Sequence, residues 1–294
     1  MPYDVSIIIG TYNLKDKLLL VLDAFNKQDY PLHHFEVIVV DSNSNDGTKE
    51  KVKQKKYNFE LVFMVQENRG KASARNTGIK LARAKTIIIT DADMIPECSF
   101  VSEHMKIHKA NELGIIVQGK TWVLSQEKLP AQDYKRRPYI KHKVNNLQKL
   151  DFYYFLTGNL SLPKKYFEDY GFFDEQYAGY GWEDIDLGYK MIRKHRLAIV
   201  YGEFAENYHY HVWTEKEELL RREKMGESVH LLINKYPELK TFLGINIFNK
   251  FIYKILGKRK RLINKWLDNF DKYKNNKFVV IILREYFYQQ GYVK

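Results

Sequence analysis

Val37-Ile38-Val39-Val40, running directly into Asp41-Ser42-Asn43-Ser44-Asn45-Asp46-Gly47, is an apolar stretch with no polar face that opens abruptly into a turn-forming loop. A strand wet on one side would alternate polar and apolar residues. A continuous run suits a sheet covered on both faces, and such sheets are parallel. The same signature recurs outward from this point: β-branched runs at 5–9, 36–40, 60–65 and 86–90 are separated by stretches with helical spacing such as Leu18, Leu22 and Phe25. The order is βαβαβαβ, which predicts an α/β fold with a doubly wound, mostly parallel sheet. Ligands of such sheets sit beyond the carboxyl ends of the strands. Four polar loops fall there: Thr11-Tyr12-Asn13, Asp41 to Gly47, Glu67-Asn68-Arg69-Gly70 and Asp91-Ala92-Asp93.

Composition bounds the partners. The 294 residues are 45% hydrophobic and carry a formal charge of +12, enough apolar mass for a large core and a bias toward anionic partners. The single cysteine, Cys98, excludes an internal disulfide and a multi-cysteine zinc site. The N-terminus lacks the basic stretch and long apolar core of a secretion signal, and the longest aliphatic runs are too short to span a bilayer, so a cytoplasmic location is expected. The segment 99–213 is aromatic-rich with weaker periodicity and reads as a lobe packed on residues 1–98. Residues 214–294 read as a basic helical extension, interrupted at Pro237. Within it, Lys240 to Lys277 holds eleven Lys or Arg against Asp268 and Asp271, interleaved with aromatic and aliphatic residues.

Four constellations carry chemistry. Asp91 and Asp93, one residue apart where a strand opens into a loop, can share a hard divalent cation that bridges diphosphate oxygens, although such pairs are also common in plain turns. Gly70-Lys71-Ala72-Ser73-Ala74-Arg75-Asn76 begins a helix with a glycine and two cations, which favours phosphate near Lys71 or Arg75. Gly181-Trp182-Glu183-Asp184-Ile185-Asp186 puts acids at a helix start beside an aromatic ring suited to stacking on a sugar. Finally, His209-Tyr210-His211-Val212-Trp213 can turn two imidazoles to one side of an extended segment, where they would complete a metal shell begun by Asp93.

Taken together, Ser6-Ile7-Ile8-Ile9-Gly10-Thr11-Tyr12-Asn13, Val40 to Thr48, Asn68 to Asn76 and Asp91-Ala92-Asp93 resemble, in order, the family 2 glycosyltransferases with the GT-A fold, over roughly residues 4–213. The second lobe resembles the galactosyltransferase-type acceptor half. That group's Trp-Gly-Gly-Glu-Asp motif is reduced here to Trp182-Glu183-Asp184, with Gly179 and Gly181 placed before the tryptophan instead. The resemblance implies a nucleotide-sugar-binding half at 1–98 and an acceptor-binding, catalytic half at 99–213. It implies that Thr11 and Asp41 hold the uracil of a UDP-sugar with Asn13 beside them, that Asp91 contacts the ribose or sugar, and that Asp93 holds Mn2+ or Mg2+ with His211 and His209. Asp184 would be the general base, and Glu183 and Trp182 would contact the acceptor. The implied reaction is inverting transfer of a hexose or N-acetylhexosamine, of galactose, N-acetylgalactosamine or glucose type, to a glycan or lipid-linked acceptor, as in bacterial surface polysaccharide synthesis. The stretch 240–277 is then expected to associate peripherally with the inner face of a membrane. A nucleic-acid-binding protein is the competing class raised by the charge, but no recognisable module supports it and no nucleic-acid partner is expected. A dinucleotide enzyme lacks its Gly-rich turn, since Gly10-Thr11-Tyr12-Asn13 stands there. A nucleotide-binding protein without transferase activity is the remaining alternative.

Overall fold

The computed structural model describes residues 3–111, 114–124, 136–140, 142–177, 181–212, 214–273 and 276–293. Gly179 and Trp213 of the sequence motifs lie outside them. The chain forms two compact units, one from Met1–Glu175 with Glu183–Val212 and one from Gln176–Trp182 with Trp213–Lys294. The first therefore takes in most of both 1–98 and 99–213.

In the first unit the elements are β1 (Val5–Thr11), α1 (Lys15–Phe25), β2 (Phe35–Asp41), α2 (Thr48–Gln54), β3 (Glu60–Val65), α3 (Lys71–Leu81), β4 (Thr86–Asp91), β5 (Met94–Pro96) and α4 (Phe100–Lys109). They continue as β6 (Ile116–Leu124), β7 (Arg136–Pro138), β8 (Asn159–Pro163), α5 (Lys165–Tyr170), α6 (Glu183–Gly188), a π-helical stretch Tyr189–Lys194, and β9 (Ile199–His209). One sheet joins all the strands in the order β3-β2-β1-β4-β8-β6-β9-β5, with β7 on β6. The first four are parallel, as the apolar runs require; β8 is antiparallel to β4 and β6, and β5 is antiparallel to β9. The observed fold is thus the expected α/β doubly wound sheet, mixed in its second half.

Period-two alternation explains why these strands look uniformly apolar. Ile8, Ile38, Val40, Ile87 and Ile89 face α3 on one side, while Val5, Ile7, Ile9, Val37, Val39 and Ile88 meet α1 and α4 on the other. Each residue is fully buried. Gly78 lets α3 lie this close: a Cβ there would stand 2.5 Å from Ile8 Cγ2. The close seat fixes the start of α3 beside the carboxyl ends of β1 and β4.

The second unit is helical: α7 (Glu215–Lys235), a 3-10 turn at Pro237–Leu239, α8 (Ile247–Gly257), α9 (Lys260–Asp268), α10 (Phe270–Tyr273) and α11 (Lys277–Val293). Thr214 and Glu217 form a reciprocal capping box that starts α7. α7 and α11 touch through Gly226 and Gly291, where Cβ atoms would run into the carbonyl oxygens of Tyr288 and Glu223. Leu219, Leu256, Ile263, Val279, Leu283 and Tyr286 make the core of this unit. No helix among the described residues is long and apolar enough to cross a membrane.

Candidate active site

The carboxyl ends of β1, β2 and β3 are sewn together before any ligand enters. Ser42 N–H donates to Thr11 O at 2.9 Å and Gln66 N–H donates to Asp41 O at 2.9 Å. Asn13 adopts a left-handed conformation (φ 51°), its N–H donating to Ser44 Oγ at 2.8 Å and its Oδ1 accepting from Asn45 N–H at 2.9 Å. Asp41 is buried and accepts from Ser44 through both N–H and hydroxyl. Beside it, Thr11 Oγ1 and Gln66 Oε1 are buried with no hydrogen-bond partner among the described residues. Burying such an oxygen unpaired costs about 1–3 kcal/mol, so both are suited to a ligand's donors. Gln66 was invisible to the strand-and-loop pattern because it falls one residue before the polar loop 67–70.

Arg75 is the electrostatic centre. Lys71 and Arg75 lie one turn apart on α3 and so share a face toward β4. The guanidinium, 3% exposed, donates through Nη2 to Asp91 Oδ1 and through Nη1 to both Glu183 Oε1 and Asp184 Oδ1, each at 3.0 Å. Lys71 Nζ, on a largely exposed side chain, stands 4.0 Å from Asp91 Oδ2. The sequence pointed Arg75 at phosphate; the structure gives its guanidinium three carboxylates and leaves Lys71 at the surface.

The three acids are held differently. Burial raises the Asp91 carboxyl, but the charges of Lys71 and Arg75, with the Arg75 hydrogen bond, outweigh it and keep Asp91 ionised well below the usual range. Asp184 goes the other way. Burial, reinforced by the Glu183 charge, pushes it up to about 6, against the pull of Arg75 and of hydrogen bonds from Thr157, whose Oγ1 donates to Asp184 Oδ2 at 2.8 Å. Glu183 Oε2 is buried without a partner among the described residues and is thus open to a donor from outside the chain. Thr157, at the entrance to β8, was not singled out as a site residue; only its placement against Asp184, 27 positions away, reveals it.

The second acidic position meets histidine. β5 pairs antiparallel with β9, with Met94 opposite His209, which brings His209 Nε2 to 3.4 Å from Asp93 Oδ2. Burial raises Asp93, but the hydrogen bond and charge of His209 lower it further, and the net shift is downward. His209 belongs to the strand itself, as the last residue of β9. His211 instead has its Nδ1 2.7 Å from Lys17 Nζ, with its ring 6.1 Å from that of His209. Among the described residues no group of three His, Cys, Asp or Glu converges on one point. The pair Asp93–His209 does fit a divalent cation whose remaining positions come from a ligand's oxygens.

Trp182 is placed in the helical unit. Its Nε1–H donates to Met225 O at 2.7 Å and its ring meets Tyr288 edge-on, with the backbone at φ 77°. The two neighbouring acids, Glu183 and Asp184, belong to the first unit.

A mostly parallel sheet whose second half turns antiparallel, with helices on both faces, is the GT-A fold of glycosyltransferases. Residues 6–171 match glycosyl transferase family 2, and the chain belongs to that family. It is 30% identical over 245 residues to the uncharacterized glycosyltransferase YfnE of Bacillus subtilis, covering 67% of this chain and 61% of that one. The chain thus spans about three fifths of that relative's length. Among solved structures, the mannosyltransferase PcManGT of Pyrobaculum calidifontis, in complex with GDP-Man and Mn2+, superposes with a TM-score of 0.64 at 17% identity, over 99% of this chain and 88% of that one. S. aureus TarS 1–349 in complex with UDP-GlcNAc gives 0.59 at 17% identity, over 98% and 90%. At these identities the two structures speak for the fold.

Proposed function

We propose that the chain is an inverting, metal-dependent glycosyltransferase that moves a hexose or N-acetylhexosamine from a UDP-sugar to a hydroxyl of a glycan or lipid-linked acceptor. The observation that carries this is Asp184. It is a half-buried carboxylate raised toward neutrality yet hydrogen-bonded and charge-oriented, which is the condition a general base needs near physiological pH.

The residues divide the work. Thr11, Asp41 and Asn13, joined by Gln66, receive the nucleobase; one of the orphaned oxygens of Thr11 and Gln66 accepts its single N–H donor. Lys71 lies beside the diphosphate, and Asp91, kept ionised by Lys71 and Arg75, accepts from sugar or ribose hydroxyls. Asp93 and His209, with His211 adjoining, hold the Mn2+ or Mg2+, which when bound offsets the charge developing on the departing diphosphate. Glu183 Oε2 accepts from the acceptor and orients it. Asp184 takes the proton of the attacking hydroxyl as its oxygen bonds to the anomeric carbon. The bond from that carbon to the phosphate oxygen breaks, and UDP leaves from the opposite face. Support for a nucleotide-sugar donor comes from the complexes of TarS with UDP-GlcNAc and of PcManGT with GDP-Man and Mn2+. With a lipid-linked acceptor the enzyme works at an anionic inner membrane face, and the basic 240–277 stretch belongs to that role.

The test is a donor-hydrolysis screen across UDP-sugars and GDP-sugars, with Mn2+ and with chelator. Turnover of at least one UDP-sugar, lost on chelation, is expected; silence on every nucleotide-sugar would overturn the reading. In the active series, Asp93→Ala and His209→Ala are expected to raise the Mn2+ concentration for half-maximal rate by about tenfold or more, the usual cost of losing one ligand or its orienting partner.

The pH profile follows from Asp184. The base must be ionised, so the transfer rate is expected to rise about tenfold per pH unit below its midpoint near 6 and to level off above it. Thr157→Val removes a hydrogen bond that favours the carboxylate form and should move that midpoint upward. A profile flat between pH 5 and 8 in the wild-type enzyme, with chemistry rate-limiting, would remove Asp184 from the role.

A further inference from the structure

The structure divides the basic, aromatic-interleaved stretch 240–277, expected from the sequence to associate peripherally with a membrane, among several helices. α9 has the sharpest separation of apolar and charged residues, yet its Ile263, Trp266 and Leu267 turn into the helical unit's own cluster. Only its polar side, including Arg261 and Lys265, is exposed. The apolar side chains that find no place inside belong to other helices.

On α8 the core-facing positions are Tyr253 and Leu256, which join the cluster with Val279, Leu283 and Tyr286 of α11. At 100° per residue the opposite side carries Phe251 and Ile255 in the middle, with Lys254 and Lys258 alongside. Phe251 is 60% exposed and Ile255 43%, and both lysines are exposed. α11 repeats the inversion in its first turns. Val279 and Leu283 go inward, while Phe278 and Ile281 stand 69% and 64% exposed next to exposed Lys277. A helix on a water-facing surface puts polar residues on these sides. Here phenylalanine and isoleucine occupy them, ringed by cations.

We infer that these outward faces of α8 and α11 dock the helical unit on an anionic lipid bilayer, with Phe251, Ile255, Phe278 and Ile281 seated at the headgroup–acyl boundary and Lys254, Lys258 and Lys277 on the headgroups. Charge complementarity selects this occupant. A second copy of the chain on the same face would set cations against cations, whereas an anionic surface accepts the charge and lets the lysine stems lie along apolar surface with their ammonium groups at the headgroups. The inference rests on the lipid-linked acceptor of the proposed function for its purpose, but not for its physics.

The experiment is co-sedimentation of the full chain with vesicles of phosphatidylcholine alone and of phosphatidylcholine with phosphatidylglycerol. It compares wild type, F251E/I255E and F278E/I281E, with thermal midpoint, donor hydrolysis and solution mass measured in parallel. Wild type is expected to bind the anionic vesicles, to release with salt and to ignore the neutral ones. Each double variant should bind at least about tenfold more weakly, because two large apolar side chains no longer leave water. Midpoint and donor hydrolysis should not change, since all four positions are exposed and none lies in the catalytic unit. Wild type left in solution with anionic vesicles, variants that bind as well as wild type, or variants that change only a dimer mass would each overturn the inference. Vesicle binding without activity on any nucleotide-sugar would leave the inference standing and remove the transferase reading instead.

Discussion

Replacing Arg75 with alanine is expected to abolish transfer and to lower the melting midpoint by on the order of 10 °C, because breaking a buried ion pair from one side costs about 3–5 kcal/mol. The guanidinium is the common partner of Asp91, Glu183 and Asp184, and it is 3% exposed, so water cannot take its place cheaply. Without it two acids on α6 and one at the end of β4 face one another across a half-buried space. Arg75→Lys keeps the charge but not the planar fork that serves three oxygens, and it should recover only part of the stability. Adding Glu183→Gln to Arg75→Ala removes one of the stranded charges and should restore some of the lost midpoint while leaving transfer absent. That non-additivity identifies the cluster as one electrostatic unit. The measurement is thermal unfolding of the four proteins alongside single-turnover transfer; a midpoint for Arg75→Ala within about 2 °C of wild type would mean that the three contacts carry little weight.

How much of this was legible before folding depends on how local its cause is. The parallel half of the sheet was legible because Ile7 to Ile9, Val37 to Val40 and Ile87 to Ile89 are buried on both faces, and that condition writes itself as an unbroken apolar run. The second half was not, because buried polar residues interrupt its apolar runs. Gln118, Asn159, Ser161 and Asn207 are buried on β6, β8 and β9, satisfied by partners distant in sequence: Ser161 by His104 and His108, Asn159 by His104, Lys120 and Ala205. Periodicity is correspondingly weak along those strands. A register shift between Gly119 and Lys120 further breaks the repeat.

The candidate site shows the same division. Asp41, Asp91 and Asp93 stood out by position alone, as acids where apolar strands end. Arg75 stood out as a cation at a helix start, but its partners Glu183 and Asp184 lie 108 and 109 residues away, and only the fold turns a phosphate ligand on paper into a carboxylate clamp. Thr157 and Gln66 carry no local signal; one matters through Asp184 and the other through Asp41. The tail is only partly legible for a related reason: α9 has the strongest apolar stripe and the helical core takes it, leaving the weaker-patterned α8 and α11 with exposed phenylalanine and isoleucine side chains.

Asp184→Asn is expected to reduce transfer by about a thousandfold or more, toward the upper end of what a positioned general base contributes, while leaving UDP affinity within a few-fold of wild type. The amide is nearly the shape of the carboxylate and its oxygen can still accept from Thr157 Oγ1, so the loop before β8 keeps its anchor. What it loses is the ability to take a proton. The variant's residual rate should therefore no longer rise with pH through about 6, where the wild-type carboxyl ionises. This separates chemistry from placement, since a merely structural loss would scale the profile without flattening it. Glu183→Gln supplies the contrast. Its free oxygen Oε2 is assigned to orienting the acceptor, so the variant should raise the acceptor KM more than it lowers kcat and should keep the pH dependence. Near wild-type turnover by Asp184→Asn, or a retained rise through pH 6, would move the base to another residue of the cluster, with Glu183 the first to examine.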